Sequence, residues 1–304
     1  RLITILMATY NGARYLAEQI DSLLSQTEQG FVLHIQDDRS TDETDSILHA
    51  YAAKYPEKIF VHTREQNSGG AKWNFLDLMV NFPDDYVMLC DQDDVWLPNK
   101  IALTLQAMQR MENEYGVETP ILVHTDLTVV DEALNTIAES LNRMLDLRME
   151  YGILSSQTVQ NTVTGCTAMY NRALAQRIRI PRACIVHDWW LGMMAVCFGK
   201  KEYIPDKTLL YRQHGANSIG AKNVVSLSYI AQKMLRPKKI REQLDATYQQ
   251  AEEFLHVYSD LLSAEQQQFL RAFISIPSHR KIRRWLMSKR LGTLKHGFIR
   301  RMAQ

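Results

Sequence analysis

Four consecutive polar residues, Asp91-Gln92-Asp93-Asp94, carry the most chemistry in the sequence. They follow an apolar run, Tyr86 to Cys90, that is typical of a buried strand. Three carboxylates at the end of such a strand repel one another unless a cation lies between them, and Mg²⁺ prefers carboxylate and phosphate oxygens. The stretch therefore predicts a divalent cation held against a phosphorylated ligand. The alternative is an acidic turn ahead of a helix that starts near Pro98.

The elements that would position these acids are five short apolar runs, which alternate with helical patterns over the first 125 residues. Strands that alternate with helices predict βαβ units and a mostly parallel sheet. Ligands of such sheets bind beyond the carboxyl ends of the strands, so the polar residues that end the early strands should converge. The runs are Leu2 to Ala8, Phe31 to Gln36, Lys58 to His62, Tyr86 to Cys90 and Pro120 to His124.

Polar clusters follow four of these runs: Thr9 to Gly12, Asp37-Asp38, Asn67 to Gly70, and Asp91 to Asp94. Carboxylates suit the hydroxyls and ring N–H groups of a nucleotide, and a cation suits its phosphates. The sequence contains neither GxGxxG nor GxxxxGK[ST]. The usual phosphate cradles of dinucleotide-binding Rossmann proteins and of P-loop NTPases are therefore missing from the sequence.

The composition is that of a globular protein: 46% of the 304 residues are hydrophobic and 23% are charged. The sequence contains no run of roughly 18 apolar residues, so we predict no membrane span. The N-terminal residues are typical of a strand rather than a signal peptide. The cysteines form no CxxC pair, so we predict reduced thiols and a cytoplasmic location. They are Cys90, Cys166, Cys184 and Cys197.

The charge is distributed unevenly, because the 39 residues after Glu265 contain ten Lys or Arg and no Asp or Glu. The pattern from Arg280 to Met302 predicts a basic amphipathic helix. Such a helix favours peripheral contact with the anionic inner face of the cell membrane. The alternative is a helix packed on the main domain. No nucleic-acid-binding motif accompanies the charge, so we predict no nucleic-acid partner. The apolar positions of the helix are Met287, Leu291, Leu294, Phe298 and Met302.

Taken in order, five motifs resemble family 2 glycosyltransferases of the GT-A fold: Met7 to Gly12, Gln36 to Asp42, Asp91 to Trp96, His187 to Trp190 and Arg212 to Asn217. Their finer details resemble the rhamnosyltransferase branch. The resemblance implies an α/β fold, with a Rossmann-like, mostly parallel sheet flanked by helices. We predict a catalytic domain over 1–223, with a nucleotide-binding half (1–125) and an acceptor half (126–223). A basic helical C-terminal region is predicted over 224–304.

The resemblance also implies which residues bind the nucleotide-sugar donor. Tyr10 matches the position whose ring packs on the base, and Asp38 matches the carboxylate that accepts from a pyrimidine N–H. Asp37 would serve the ribose or the turn, and Lys72 falls where a cation approaches the diphosphate. The implied donor-binding residues are Ala8, Thr9, Tyr10, Asn11, Asp37, Asp38, Lys72, Asp91 and Gln92.

A metal site and a catalytic base follow from the same resemblance. The implied metal ligands are Asp93, Asp94 and His214, with the choice between the two aspartates open and Mg²⁺ and Mn²⁺ both acceptable. Asp188 matches the general base, although an Asp there could instead cap a helix. The implied acceptor side comprises Gly165, Trp189 and Trp190, and the alternative for the two tryptophans is a place in the core.

The predicted function is inverting, metal-dependent transfer of a sugar from a nucleotide-sugar donor to a polysaccharide or lipid-linked glycan. The finer resemblance implies dTDP-L-rhamnose as the donor. The alternatives are a UDP-hexose or UDP-HexNAc donor on the same fold, a nucleotidyltransferase, or a non-catalytic binding module. All of these site assignments require Asp38, Asp93 and Asp188 to gather at a single cleft.

Overall fold

A nine-stranded sheet forms the centre of the protein in a computed structural model that describes residues 1–147, 149, 153–215 and 237–294. Its first four strands are β1 (Ile3–Thr9), β2 (Phe31–Asp37), β3 (Ile59–Thr63) and β4 (Tyr86–Cys90). The remaining strands are β5 (Val95–Trp96), β6 (Ile121–Val130), β7 (Thr136–Ala138), β8 (Ala168–Asn171) and β9 (Lys200–Arg212).

Eleven α-helices surround the sheet in the described part of the chain. Those that precede or alternate with the strands are α1 (Ala13–Leu24), α2 (Thr44–Lys54), α3 (Ala71–Asn81), α4 (Lys100–Tyr115), α5 (Leu141–Met144), α6 (Leu154–Val159), α7 (Arg172–Ala175) and α8 (His187–Phe198). Those that follow the last strand are α9 (Pro237–Val257), α10 (Ala264–Ile274) and α11 (Lys281–Arg290).

The sheet joins a parallel half to a largely antiparallel half in the order β3-β2-β1-β4-β8-β6-β9-β5, with β7 on β6. Strands β1 to β4 are mutually parallel, so their carboxyl ends lie at one edge, as predicted. All five predicted strands are present, and the fifth extends to Val130. This mixed α/β architecture confirms the predicted fold class.

The acidic stretch crosses from one half of the sheet to the other. It leaves β4 in the parallel half and enters β5, which pairs antiparallel with β9 at the far edge. Four residues therefore span the carboxyl ends of several strands. This course places Asp91 to Asp94 over the edge where ligands of such sheets bind.

Two apolar clusters, one on each face of the sheet, form the core. Along β1, Ile5 and Met7 belong to one cluster, and Leu6 and Ala8 belong to the other. This alternation is what a strand buried on both faces requires, because successive side chains point in opposite directions. Helices α1 and α4 pack on the first face, and helices α3, α8, α9 and α10 pack on the second.

The C-terminal region differs from the predicted long helix. The helix predicted over Arg280 to Met302 ends at Arg290, and Gly292 then adopts a left-handed backbone with φ of 67°. Phe298 and Met302 lie outside the described residues, as do 216–236. Among the described residues, none of the helices combines the length and apolar character that crossing a bilayer requires.

Candidate active site

The acidic loop is fastened to the end of β1 by a pair of reciprocal hydrogen bonds. The Tyr10 backbone N–H donates to Gln92 Oε1 at 2.8 Å, and Gln92 Nε2 donates to the Tyr10 carbonyl at 3.0 Å. The Tyr10 side chain is 50% exposed. Its ring is therefore open to a ligand while its backbone holds the loop.

Asp37 builds the turn after β2. Its Oδ1 accepts from Thr9 Oγ1 at 3.0 Å and from Ser40 Oγ at 2.6 Å, and its Oδ2 accepts from the Ser40 backbone N–H at 2.9 Å. Asn11 joins the same turn, because its Oδ1 accepts from the Thr41 backbone N–H at 2.8 Å. Both oxygens of the buried Asp37 carboxylate accept hydrogen bonds from the turn. Of the two roles that the sequence left open, binding the ribose or building the turn, this geometry fits the turn.

Asp38 and Lys72 connect the donor-side loops. Ser68 donates to the Asp38 carboxylate twice, from its backbone N–H at 2.6 Å and from its hydroxyl at 2.7 Å. Lys72 Nζ donates to the Cys184 carbonyl at 2.6 Å, four residues before Asp188. Asp38 is therefore buried at the strand edge and tied to the 67–70 loop, and Lys72 reaches toward the helix that carries Asp188.

Asp91, Asp93, Asp94 and Asp188 interact electrostatically. Burial, followed by the charges of Asp93 and Asp188, raises the pKa of Asp91 to about 7. Burial, followed by the charges of Asp91 and Asp93, raises the pKa of Asp94 well above its ordinary value. Asp188 thus lies close enough to the acidic loop to affect its protonation, although it is 97 residues further along the chain.

A divalent cation fits this cluster. Oδ2 of the buried Asp94 has no hydrogen-bond partner in the described part of the chain, and one donor atom from each of Asp91, Asp94 and Cys166 lies within 4.8 Å of the others. Carboxylate oxygens are the ligands that Mg²⁺ and Mn²⁺ accept. A cation there would relieve both the mutual repulsion and the unpaired buried oxygen.

The predicted ligands divide between two places. Asp94 lies with Asp91 and Cys166, whereas Asp93 Oδ2 lies 2.8 Å from His214 Nε2. His214 is thus brought to the acidic loop, as predicted, but as a direct partner of Asp93. Ala216 and Asn217, which complete the predicted motif, lie outside the described residues.

Arg212 fixes the acidic loop from β9. Its backbone N–H donates to Asp94 Oδ1 at 3.1 Å, and its Nε donates to the Asp93 carbonyl at 2.9 Å. The guanidinium is buried, forms an ion pair with Glu18 and lies 4.5 Å from the centre of the Tyr15 ring. The motif that begins at Arg212 therefore contributes a structural cation as well as His214.

Asp188 is held by two donors at the start of α8. Asn161 Nδ2 donates to its Oδ1 and the Gly165 backbone N–H donates to its Oδ2, each at 2.9 Å. The N-cap of α8 is Val186, and no side chain caps the helix. The alternative in which Asp188 serves as the cap is therefore wrong, and its carboxylate lies in the first turn, directed toward the Asn161–Gly165 segment.

Gly165 allows that segment to approach the helix closely. A Cβ at this position would lie 2.9 Å from His187 Nε2 and 3.5 Å from the Asp188 Cβ. The His187 ring stacks on Phe75, with 4.3 Å between ring centres, and burial lowers its pKa. His187 is thus a packing residue, and Gly165 lies beside the candidate base.

The two tryptophans belong to the core. Trp189 Nε1 donates to the Gln157 carbonyl at 2.6 Å, and Trp190 packs against Phe254 with 5.0 Å between ring centres. Both side chains are buried. The expectation that the pair offers a sugar an aromatic face is therefore corrected: α8 turns both rings inward, where α6 and α9 cover them.

Three contributors were missed by sequence reasoning: Asn161, Cys166 and Lys100. The Lys100 ammonium is buried near the acids, 3.4 Å from Thr208 Oγ1 and 4.5 Å from the centre of the Trp96 ring, and burial lowers its pKa to about 8. A signal existed only for Cys166, which stands in a run noted for its polar residues. Asn161 and Lys100 are unremarkable in sequence, because their roles depend on loop geometry.

A family model described as "Glycosyl transferase family 2" matches residues 4–179 of the chain. The chain belongs to glycosyltransferase family 2. This glycosyltransferase is 26% identical over 250 residues to dTDP-rhamnosyl transferase RfbG of Shigella flexneri, with 78% of this chain and 82% of that protein covered. Among the curated relatives that it matches, the chain spans between 52% and 82% of their length.

Solved structures share the fold of this glycosyltransferase at low identity. Staphylococcus aureus TarS 1–349 in complex with UDP-GlcNAc gives a TM-score of 0.58 at 16% identity, covering 100% of this chain and 86% of that one. Mannosyltransferase PcManGT from Pyrobaculum calidifontis, in complex with GDP-Man and Mn²⁺, gives 0.51 at 16% identity, covering 96% and 85%. The family and the GT-A fold predicted from the motifs are both confirmed.

Proposed function

We propose that this glycosyltransferase transfers a sugar from a nucleoside-diphosphate donor to a glycan or lipid-linked acceptor with inversion, using Asp188 as the general base. The observation that carries the proposal is the position of Asp188. Asn161 and the Gly165 backbone N–H hold its carboxylate, and Cys166, the next residue after Gly165, has its Sγ within 4.8 Å of carboxylate oxygens of Asp91 and Asp94. A separate segment therefore holds Asp188 beside the acidic loop. A single displacement at the anomeric carbon needs a base on the acceptor side of the cleft and a diphosphate-binding loop on the other side.

In that displacement, the acceptor oxygen forms a bond to the anomeric carbon while the bond from that carbon to the diphosphate oxygen breaks. The hydroxyl proton passes to Asp188, which is the role of a general base. A bound divalent cation supplies charge neutralisation of the leaving diphosphate. We propose that Asp91, Asp93 and Asp94 hold that cation, with His214 orienting Asp93 through their 2.8 Å contact.

The donor side favours a pyrimidine nucleotide. The exposed ring of Tyr10 offers a surface for the base, and Asp38 lies at the next strand end with carboxylate oxygens that can accept from a ring N–H. The relationship to a dTDP-rhamnosyl transferase supports dTDP-L-rhamnose as the donor. The alternative is a UDP-hexose or UDP-HexNAc, which the shared fold with a UDP-GlcNAc-bound enzyme supports.

The proposed acceptor is a growing polysaccharide or a lipid-linked sugar, and the proposed location is the cytoplasm or the inner face of the cell membrane. Two features support this: the relative named above is a sugar transferase, and the basic C-terminal residues suit an anionic surface.

A donor panel tests the proposal. Purified protein is incubated with dTDP-L-rhamnose, UDP-glucose, UDP-galactose, UDP-GlcNAc or GDP-mannose, with Mn²⁺, Mg²⁺ or EDTA, and nucleoside diphosphate release is measured. We expect one donor to dominate and EDTA to abolish turnover. Activity that survives EDTA contradicts the metal assignment, and release of pyrophosphate would indicate a nucleotidyltransferase.

The base is tested separately. Asp188→Asn should keep nucleotide affinity in calorimetry and lose at least about 100-fold in transfer rate, the range expected for a general base. Asp45→Asn, which changes an exposed acid of α2, is the matched control and should keep full activity. Normal transfer by Asp188→Asn would remove Asp188 from the mechanism.

A further inference from the structure

Helix α11 has a buried side and an exposed side. Met287 and Leu291 pack on the core cluster that also contains Trp190, and Ser288 is buried beside them. Arg284 lies at the edge of this side, three and four residues before Met287 and Ser288, and its Nε donates to the His279 carbonyl at 2.6 Å. Met287 and Leu291, which the sequence predicted to face a membrane, therefore face the protein core.

The opposite side of α11 is apolar and open. Ile282, Trp285 and Leu286 are 78%, 54% and 52% exposed. Their spacing of three and four residues places them on one face of the helix. We call these three residues the exposed apolar face. A monomeric soluble domain has little reason to leave a tryptophan and two large aliphatic residues clustered in water, so the cluster points to a partner.

Cations border the exposed apolar face on both sides. Arg283 and Arg290 lie along one flank, Lys281 lies along the other, and Lys289 Nζ lies 5.4 Å from the centre of the Trp285 ring. All four side chains are exposed, and none forms a salt bridge with a carboxylate in the described part of the chain. No acidic residue follows Glu265 in the sequence. The surface thus has Lys289 among its three apolar residues and Lys281, Arg283 and Arg290 at its rim.

Helix α11 is linked through α6 to the helix that bears Asp188. The turn after α11 approaches the start of α6, where a Cβ on Gly292 would lie 3.4 Å from Ser155 Oγ. Helix α6 in turn carries Gln157, whose carbonyl accepts from Trp189 of the helix that bears Asp188.

We propose that the exposed apolar face inserts into an anionic lipid bilayer, with Lys281, Arg283, Lys289 and Arg290 against the head groups. An apolar centre with tryptophan, rimmed by Lys and Arg, matches the chemistry of the membrane interface: the ring and alkyl groups enter the acyl boundary while the cations meet lipid phosphates. A second copy of the chain fits less well, because two such faces would bring eight cations together. The inference rests on the proposed function in one respect: membrane binding would give the enzyme access to a lipid-linked acceptor.

Vesicle sedimentation tests the inference. We expect the full chain to bind phosphatidylglycerol-containing vesicles and not pure phosphatidylcholine vesicles. Changing Ile282, Trp285 and Leu286 together to Ser should weaken binding by at least about 10-fold. The matched control changes three other exposed aliphatic residues, Val117, Ile137 and Ile180, to Ser and should bind normally. Unchanged thermal unfolding of both variants shows that they fold.

The four cations are tested by changing Lys281, Arg283, Lys289 and Arg290 to Gln, which should remove the preference for anionic lipid. Changing exposed Lys54 and Lys207 to Gln is the control.

Insertion of Trp285 is tested by fluorescence. Bromolipids should quench the fluorescence of the bound wild type, and Trp285→Phe should bind but lose most of that quenching. Equal vesicle binding by the triple Ser variant and the wild type overturns the proposal. So does a triple variant that turns a dimer into monomers while still binding vesicles.

The two proposals fail in different ways. A protein that binds vesicles but transfers no sugar contradicts the proposed function alone. A protein that transfers sugar to a detergent-solubilised acceptor but does not bind vesicles contradicts this inference alone.

Discussion

At the scale of single residues, the arrangement of Asp188 stands out because both of its oxygens are fixed. Asn161 holds one and the Gly165 backbone holds the other, at 2.9 Å each. A carboxylate fixed in this way keeps its remaining lone pairs aimed in one direction, which spares the reorganisation that proton transfer would otherwise need. Asn161 is therefore a positioning residue for the proposed base.

We predict that Asn161→Ala lowers kcat by about 10-fold and leaves the KM for the donor unchanged, because it loosens the base without touching the donor side. Steady-state kinetics with the preferred donor measures both constants. Asn81→Ala, at the exposed end of α3, is the matched control.

A double-variant cycle makes the test specific. If Asn161 acts through Asp188, adding Asn161→Ala to Asp188→Asn should cause no further loss of rate. An equal loss in both backgrounds would mean that Asn161 acts on the fold instead.

The sequence could predict Asp91 to Asp94, Asp188 and His214 because each belongs to a short, contiguous motif. It could not predict Asn161, which is 27 residues from its partner and reaches it only through the turn between α6 and Gly165. Lys100 escaped notice for the same reason, since a lysine near a helix start is ordinary until Trp96 and Thr208 are seen around it.

At the scale of secondary structure elements, β2 and β3 carry a histidine pair away from the active site. His34 Nδ1 lies 3.0 Å from His62 Nε2, and the His34 ring also stacks on Phe60 and packs at a tilt against Phe82. Burial, followed by the charge of His62, lowers the pKa of His34 to about 4, with Asp84 opposing the shift. The two strands are thus joined by a contact that requires a neutral ring.

We predict that this contact makes the fold sensitive to acid. As pH falls from about 6.5 to about 4, the unfolded chain takes up a proton at His34 that the folded chain does not, so stability present at pH 7 is lost. Between pH 7.5 and 5.0 the loss due to His34, reduced by solvent screening of this half-buried ring, should be about 1 kcal/mol. Urea unfolding at both pH values measures it, and His34→Phe should reduce the difference.

The control is His256→Phe, because His256 is exposed on α9 and should leave the pH dependence unchanged. An identical pH dependence in the wild type and His34→Phe would place the acid sensitivity elsewhere.

Helix α11 shows what periodicity can and cannot predict about an element. The spacing of Met287 and Leu291 correctly indicated one apolar face. Whether that face meets lipid or protein depends on how α9 and α10 pack, and in the folded chain they cover the same side. The exposed cluster at Ile282, Trp285 and Leu286 was hidden because basic residues interrupt it.

At the scale of the whole molecule, the core does not stop where the family match stops. The match ends at residue 179, yet the cluster around Trp190 continues through Phe254 and Tyr258 to Ile276. The motifs of the resemblance suggested a boundary near 223, because the last of them ends at Asn217. Packing shows that α9 and α10 complete the face of the sheet that supports α8.

The two-residue strand β5 has a consequence for how the protein folds. It pairs with β9, and the Arg212 side chain that fixes the acidic loop bonds to a carbonyl 119 residues earlier. Closing so long a segment is entropically unfavourable and is repaid by few local contacts. The pairing of β1 with β2 joins residues 28 apart, from Ile3 to Phe31, and the pairing of β1 with β4 joins residues 83 apart, from Ile3 to Tyr86, so both close shorter segments.

We therefore predict that, during refolding, amides of β1, β2 and β4 gain protection from hydrogen exchange before the amide of Arg212 does. Pulse-labelled exchange with mass spectrometry measures the order, and simultaneous or reversed protection would contradict it. On the ribosome the same logic applies: the nucleotide-side strands can assemble early, whereas a competent active site must wait until residue 212 has emerged.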